Sequence, residues 1–191
     1  MSSIPRAQLI EAVEDAIISS GYSGVRVSGN NEEPAKFIVT GPSRRPLSIW
    51  VYVRNLTPAG RSDADEYRIQ LRRDILPLAL NADGPTVLLG YQATLKLFAG
   101  FEPSAISTGS TTQLSGGYIS LRIVKRAQKQ GMTFDRDRRD RIAVGVNPDM
   151  LVAYCLHASD IHAAAEDNEI VGILNSATSA FDGHDATGSS D

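Results

Sequence analysis

Cysteine is nearly absent: Cys155 stands alone in a chain of 191 residues. A single thiol excludes an internal disulfide and any cysteine-rich zinc site. Set within LVAYCL, it reads as a small buried side chain rather than a nucleophile. Histidine is scarce too. His157 and His162 lie five apart, which on one helix separates them by about 140°, and His184 stands near the end of the chain. None has metal-ligand spacing. There is no Gly-x-Ser-x-Gly elbow, and the stretches GPSRRP at 41–46 and GSTTQLSGG at 109–117 lack the lysine and order of a phosphate loop. The opening MSSIPRAQLIEAVEDAI lacks a signal-peptide layout, and no apolar run reaches membrane-spanning length. The expectation is a soluble cytoplasmic domain with no membrane partner. Neither charge sign dominates: 19 Lys and Arg face 22 Asp and Glu, for a net −3. That excludes a generally basic coat for nucleic acid but leaves room for a local positive face.

With 42% hydrophobic residues the chain can build a sizeable core. Its length fits a single domain over 1–175, followed by a flexible tail or linker over 176–191. Residues 5–19 have helical periodicity, with Leu9, Val13, Ala16 and Ile17 on one face. Short strands follow at 24–28 and 35–40. LSIWVYVRN at 47–55 is the strongest strand signal, setting Leu47, Ile49, Val51 and Val53 against Trp50, Tyr52 and Arg54. The aromatic side of this strand is either covered by other structure or a binding platform, and coverage is the commoner case. EYRIQL at 66–71 alternates again, and 86–89 and 93–99 complete what reads as a curved, mostly antiparallel sheet. A helix is expected over 117–130, a hairpin tip or connector at DRDRRDR, a strand at 141–146, and helix over 149–157 with a new start near Ser159 or Asp160.

Two chemistries compete for the polar centre of the chain. Asp63, Asp65 and Glu66 ahead of Arg68 and Gln70 superficially resemble a carboxylate set for Mg²⁺ in a metal-dependent endonuclease, although a second acidic-x-lysine element is missing. Alternatively, Arg68 and Gln70 share one face of a strand, and both side-chain types make paired contacts to base edges in a major groove. Arg54, Arg61, Arg72 and Arg73 are then candidates for phosphate contacts, with Arg44-Arg45 and the group Arg122, Lys125, Arg126 and Lys129 as further cations. Trp50, Tyr52 and Phe101 suit a core, or less readily a pocket for a flipped base.

WVYVRNLTPAGRSDADEYRIQL at 50–71, LLGYQATLKLFAGFEPSAIS at 88–107 and IAVGVNPDMLVAYC at 142–155 resemble the N-terminal module of bacterial HNH-type restriction endonucleases. The likeness spans about 35–175. It implies an α+β domain, either a curved sheet or a B3-like pseudobarrel with flanking helices. It also implies a DNA-recognition role in a restriction or defence system, with double-stranded DNA as partner and an HNH nuclease domain or separate nuclease beside it. The resemblance covers Tyr52, Arg54, Asn55 and the segment 65–70, and with them the candidate DNA contacts become Arg54, Asn55, Arg61, Arg68, Gln70, Arg72, Arg73, Arg122 and Lys125. The chain lacks CxxC pairs and closely spaced HNH histidines, so by itself it is not expected to be an enzyme. No cofactor is expected for the domain, and Mg²⁺ only under the nuclease reading. A non-catalytic interaction domain of a defence complex is the third reading.

Overall fold

The computed structural model describes residues 3–41, 45–60, 63–107, 116–137 and 139–185; the side chains of Arg73, Ile106, Ser107 and residues 180–185 lie outside that description. The chain opens with helix α1 (Arg6–Ser19) and strands β1 (Ser23–Arg26), β2 (Ala35–Thr40) and β3 (Leu47–Asn55). Two short strands, β4 (Thr57–Pro58) and β5 (Glu66–Arg68), precede β6 (Thr86–Gln92) and β7 (Leu97–Phe101). Then come α2 (Pro103–Ser107), β8 (Tyr118–Ser120), α3 (Leu121–Gln130), β9 (Met132–Arg136) and β10 (Ile142–Val146), and finally α4 (Leu151–Ala163) and α5 (Asp167–Asp185). Helix α5 runs on past 175, with Ala177 buried. No helix among the described residues is long and apolar enough to cross a membrane.

Seven strands form one sheet in the order β1-β2-β3-β6-β7-β10-β9, and β4-β5-β8 form a second, smaller sheet. The class is α+β, and among the described strands every pairing but β3–β6 is antiparallel, as expected; the expected curved sheet or B3-like pseudobarrel, however, is not what forms. The large sheet is open, ending in β1 and β9, and it is mixed: β3 and β6 pair in parallel from Trp50–Thr86 to Asn55–Tyr91. A parallel pair cannot be joined by a hairpin, so the chain must leave the sheet between them. Residues 56–85 make that excursion and carry β4 and β5 with them. A meander closing on itself is thereby excluded.

Both faces of the large sheet are covered at its central strands, as the double-sided alternation of β3 requires. On one face Ile49, Val51, Val53, Val87, Leu89 and Val144 pack against α1, α4 and α5. On the other, Tyr52, Leu88, Ala99, Phe101 and Ala143 meet Tyr67, Ile69 and Ile119 of the smaller sheet and Ile123 and Val124 of α3. Ile69 lies against bare backbone, for a Cβ on Gly90 would come within 2.6 Å of its Cγ2. The Tyr52 hydroxyl accepts from Ala79 N–H at 2.9 Å and donates to Ala79 C=O at 3.1 Å, fastening the excursion to the sheet. Tyr52 and Phe101 are therefore core residues, 2% and 3% exposed.

Helix α4 is continuous, without the break expected near Ser159, since residues 151–163 contain neither glycine nor proline. It carries Tyr154, whose Oη lies 2.9 Å from His162 Nε2, while His162 Nδ1 has no hydrogen-bond partner. Burial pushes the imidazole down from 6.5 to about 4, against the opposing influence of the Glu102 charge and the Ile142 carbonyl. As pH falls below 6.5 the unfolded chain takes up this proton while the folded chain does so only near 4. The group therefore removes stability on acidification, reaching about 3 kcal/mol near the lower limit. Urea unfolding of the wild type and His162→Gln at neutral pH and near pH 4 should show the wild type losing about that much more than the variant.

Candidate nucleic-acid interface

The small sheet gathers the central polar residues. β5 pairs antiparallel with β8 in the register Glu66–Ser120, Tyr67–Ile119 and Arg68–Tyr118. Tyr67 and Ile119 face the core, so Glu66 and Arg68 stand on the outer side with Ser120 and Tyr118. β8 runs directly into α3, which buries Ile123, Val124 and Ala127 and exposes Arg122, Lys125, Arg126 and Lys129. These four cations recur at i, i+3, i+4 and i+7, on one side of the helix over about 10 Å of its length. Among the described residues none of the four side chains is held by an ion pair. Arg68 has no ion pair either, and its Nε is buried without a hydrogen-bond partner. Gln70, just beyond β5, is exposed.

Asp65 has a task other than metal binding. One of its carboxylate oxygens accepts the Ser120 hydroxyl proton and lies 3.4 Å from Arg122 N–H, and its backbone carbonyl accepts Leu121 N–H at 2.8 Å. It thus caps the first turn of α3 from 55 residues upstream, where a negative charge is favoured by the helix dipole. Ser120 itself occupies the N-cap position, a residue type suited to that role within the stretch expected to be helical over 117–130. The Asp63 carboxylate accepts Asp65 N–H at 2.9 Å in a local turn. The Mg²⁺ set expected from Asp63, Asp65 and Glu66 does not assemble: among the described residues no three or more acidic, histidine or cysteine side chains converge as a metal would need.

The remaining candidates are dispersed. Arg54 is 13% exposed and bonded to Glu33 at 2.6 Å and to Val53 C=O at 2.8 Å; Glu33 also pairs with Arg6. The Asn55 amide holds the backbone of Ile4 through both its oxygen, at 2.9 Å, and its nitrogen, at 3.0 Å. Both side chains thus tie β3 to other parts of the fold. Arg72 is 72% exposed and paired with Asp74, whose carboxyl is held below its usual range by hydrogen bonding to that guanidinium. Arg73 begins a 3-10 turn, and Arg44 and Arg61 fall outside the described residues. At the β9–β10 hairpin Arg141 pairs with Asp137 and Arg136 with Asp167 of α5, so these two cations are neutralised within the structure, while Arg138 of DRDRRDR lies outside the described residues.

If Asp65 is a cap, Asp65→Ala should cost about 1 kcal/mol in urea unfolding, and Mg²⁺ should leave the unfolding midpoints of wild type and variant unchanged. A Mg²⁺-dependent rise in the wild type that the variant loses would return Asp65 to metal binding.

No curated protein and no solved structure matches the chain. The family model of methylase-associated X1 matches residues 47–155, from β3 into the first turns of α4. That span contains the small sheet, the crossover and α3, as well as every phrase behind the restriction-enzyme resemblance. The association is thus with methylase and restriction–modification systems, and not specifically with an HNH DNA-recognition module. More than half of the chain lies within the match, and the protein belongs to the methylase-associated X1 family.

Proposed function

We propose that the chain is a DNA-contacting accessory domain of a methylase or restriction–modification system, binding duplex DNA through the outer side of β5–β8 and the exposed side of α3. The observation that carries this reading is a cluster of four unpaired cations on α3, one strand pairing away from the unpaired Arg68, in a chain of net charge −3. A local field of one sign is what a polyanion senses, whatever the total. Arg122, Lys125, Arg126 and Lys129 would neutralise phosphates and set the register. Arg68 and Gln70, at the margin of the same surface, would meet base edges. Arg72 can add a phosphate contact by exchanging Asp74 for the backbone. Family membership supports the setting, since modification and restriction both act on DNA. The reading assigns no reaction to this chain.

Binding to a duplex panel across a salt titration tests it. Four phosphate contacts predict a log–log slope of about −3.6 from α3. Replacing Arg122, Lys125, Arg126 and Lys129 together by alanine should remove most of that slope while leaving the fold intact, because all four are exposed. Arg68→Ala should reduce discrimination between duplexes more than it reduces nonspecific binding. Absence of duplex binding by the wild type, or a slope indifferent to the quadruple substitution, would refute the assignment.

A further inference from the structure

Exposed large hydrophobic side chains gather at the β1 end of the large sheet, far along it from α3. Val25 is 66% exposed, Val27 59% and Ile38 37%; Ile18, at 66%, flanks the edge from α1. Val25 and Ile38 are directly opposed across the β1–β2 ladder and face away from α1, whereas Gly24 and Val39 face toward it, with Ile17 against Gly24. Leu80, 57% exposed, belongs on the same side as Val25: its neighbours Ala79 and Asn81 are bonded to Tyr52 and Ser48. Val25 and Ile38 thus make an apolar pair on this side of the edge, with Ser48 and Asn81 between Ile38 and Leu80.

β1 is also a terminal strand. Val27 N–H donates inward to Lys36 C=O at 2.9 Å, so by alternation Gly24 and Arg26 direct their backbone groups outward. SGVR contains neither the proline nor the lysine that blunts many edges.

We propose that β1 is the seam of a homodimer, pairing antiparallel with β1 of a second copy about a two-fold axis at Val25. That register is reciprocal, as an isologous contact requires. Gly24 of each copy exchanges both backbone hydrogen bonds with Arg26 of the other, and the two Val25 side chains meet on the apolar side. Charge does not oppose the contact, because the Arg26 cation is paired within its own chain. The Arg26 side chain reaches over the other copy's Gly24, where no side chain competes, and each Arg26 brings Glu14, 3.6 Å from its Nε. The seam therefore contains equal numbers of cations and anions.

Sedimentation velocity of the full chain over a concentration series should show a monomer–dimer equilibrium. Val25→Lys, at an exposed position, places two ammonium groups together on the axis and should weaken dimerisation by about a hundred-fold or more. Val25→Cys should form a disulfide-linked dimer under mild oxidation, because a non-hydrogen-bonded antiparallel pair brings its Cα atoms within disulfide range; the native Cys155 is buried. A chain that stays monomeric at all concentrations overturns the proposal. So does a dimer that tolerates Val25→Lys and leaves Val25→Cys unlinked, since it must use another surface. Stable capture of a different protein on this edge by a monomeric chain also overturns it.

Discussion

The parallel pairing of β3 with β6 is the constraint from which the rest of the architecture follows. Two adjacent parallel strands oblige the chain to leave the sheet at one end and cross back to re-enter it at the opposite end. Here the excursion is not a helix but an extended segment that folds over the sheet, contributes β4 and β5, and recruits β8 as a third strand. Its inward residues Tyr67, Ile69 and Leu71 bury the face that Tyr52, Leu88 and Phe101 would otherwise expose. Its outward residues become a surface of their own. Because β8 continues into α3, the same pairing joins the basic helix to the small sheet that carries Arg68, with Glu66 opposite Ser120 at the junction and Asp65 capping the helix.

Much of this was legible at the level of single elements. The apolar spacing of α1, the two-sided alternation of β3 and the inward set Tyr67, Ile69, Leu71 can be read from residue order, because each depends on local periodicity. Strand direction cannot: a period of two residues is the same in parallel and antiparallel sheets. Hence β5 reads from residue order alone as one more strand of a single curved sheet. β8 merged with α3 because Tyr118 and Leu121 also satisfy helical spacing. Long-range partners were equally invisible. Asp65 looks like a metal ligand in SDADEYR until Ser120 and α3 are brought to it, and Arg54 looks like a phosphate contact until Glu33 closes on it.

Charge is distributed accordingly. Arg6, Arg54, Arg136 and Arg141 neutralise acids within the structure or at the hairpin tip, whereas the α3 cations face solvent unpaired. A net negative chain can in this way carry a run of exposed cations, although Asp65 and Glu66 lie at its N-terminal end. The two ends of the large sheet then differ in kind: basic near β9 and β10, where α3 lies, and apolar at β1. Under the proposals above, the first would face DNA and the second a further copy of the chain.

The most direct test of the central claim is to map which amides of the isotopically labelled chain shift in NMR spectra when a DNA duplex is added. The account predicts perturbations over 66–70, 118–120 and the exposed positions of α3, with β1 and β2 left unchanged. Perturbations centred on β1–β2, or none at any duplex concentration, would contradict it.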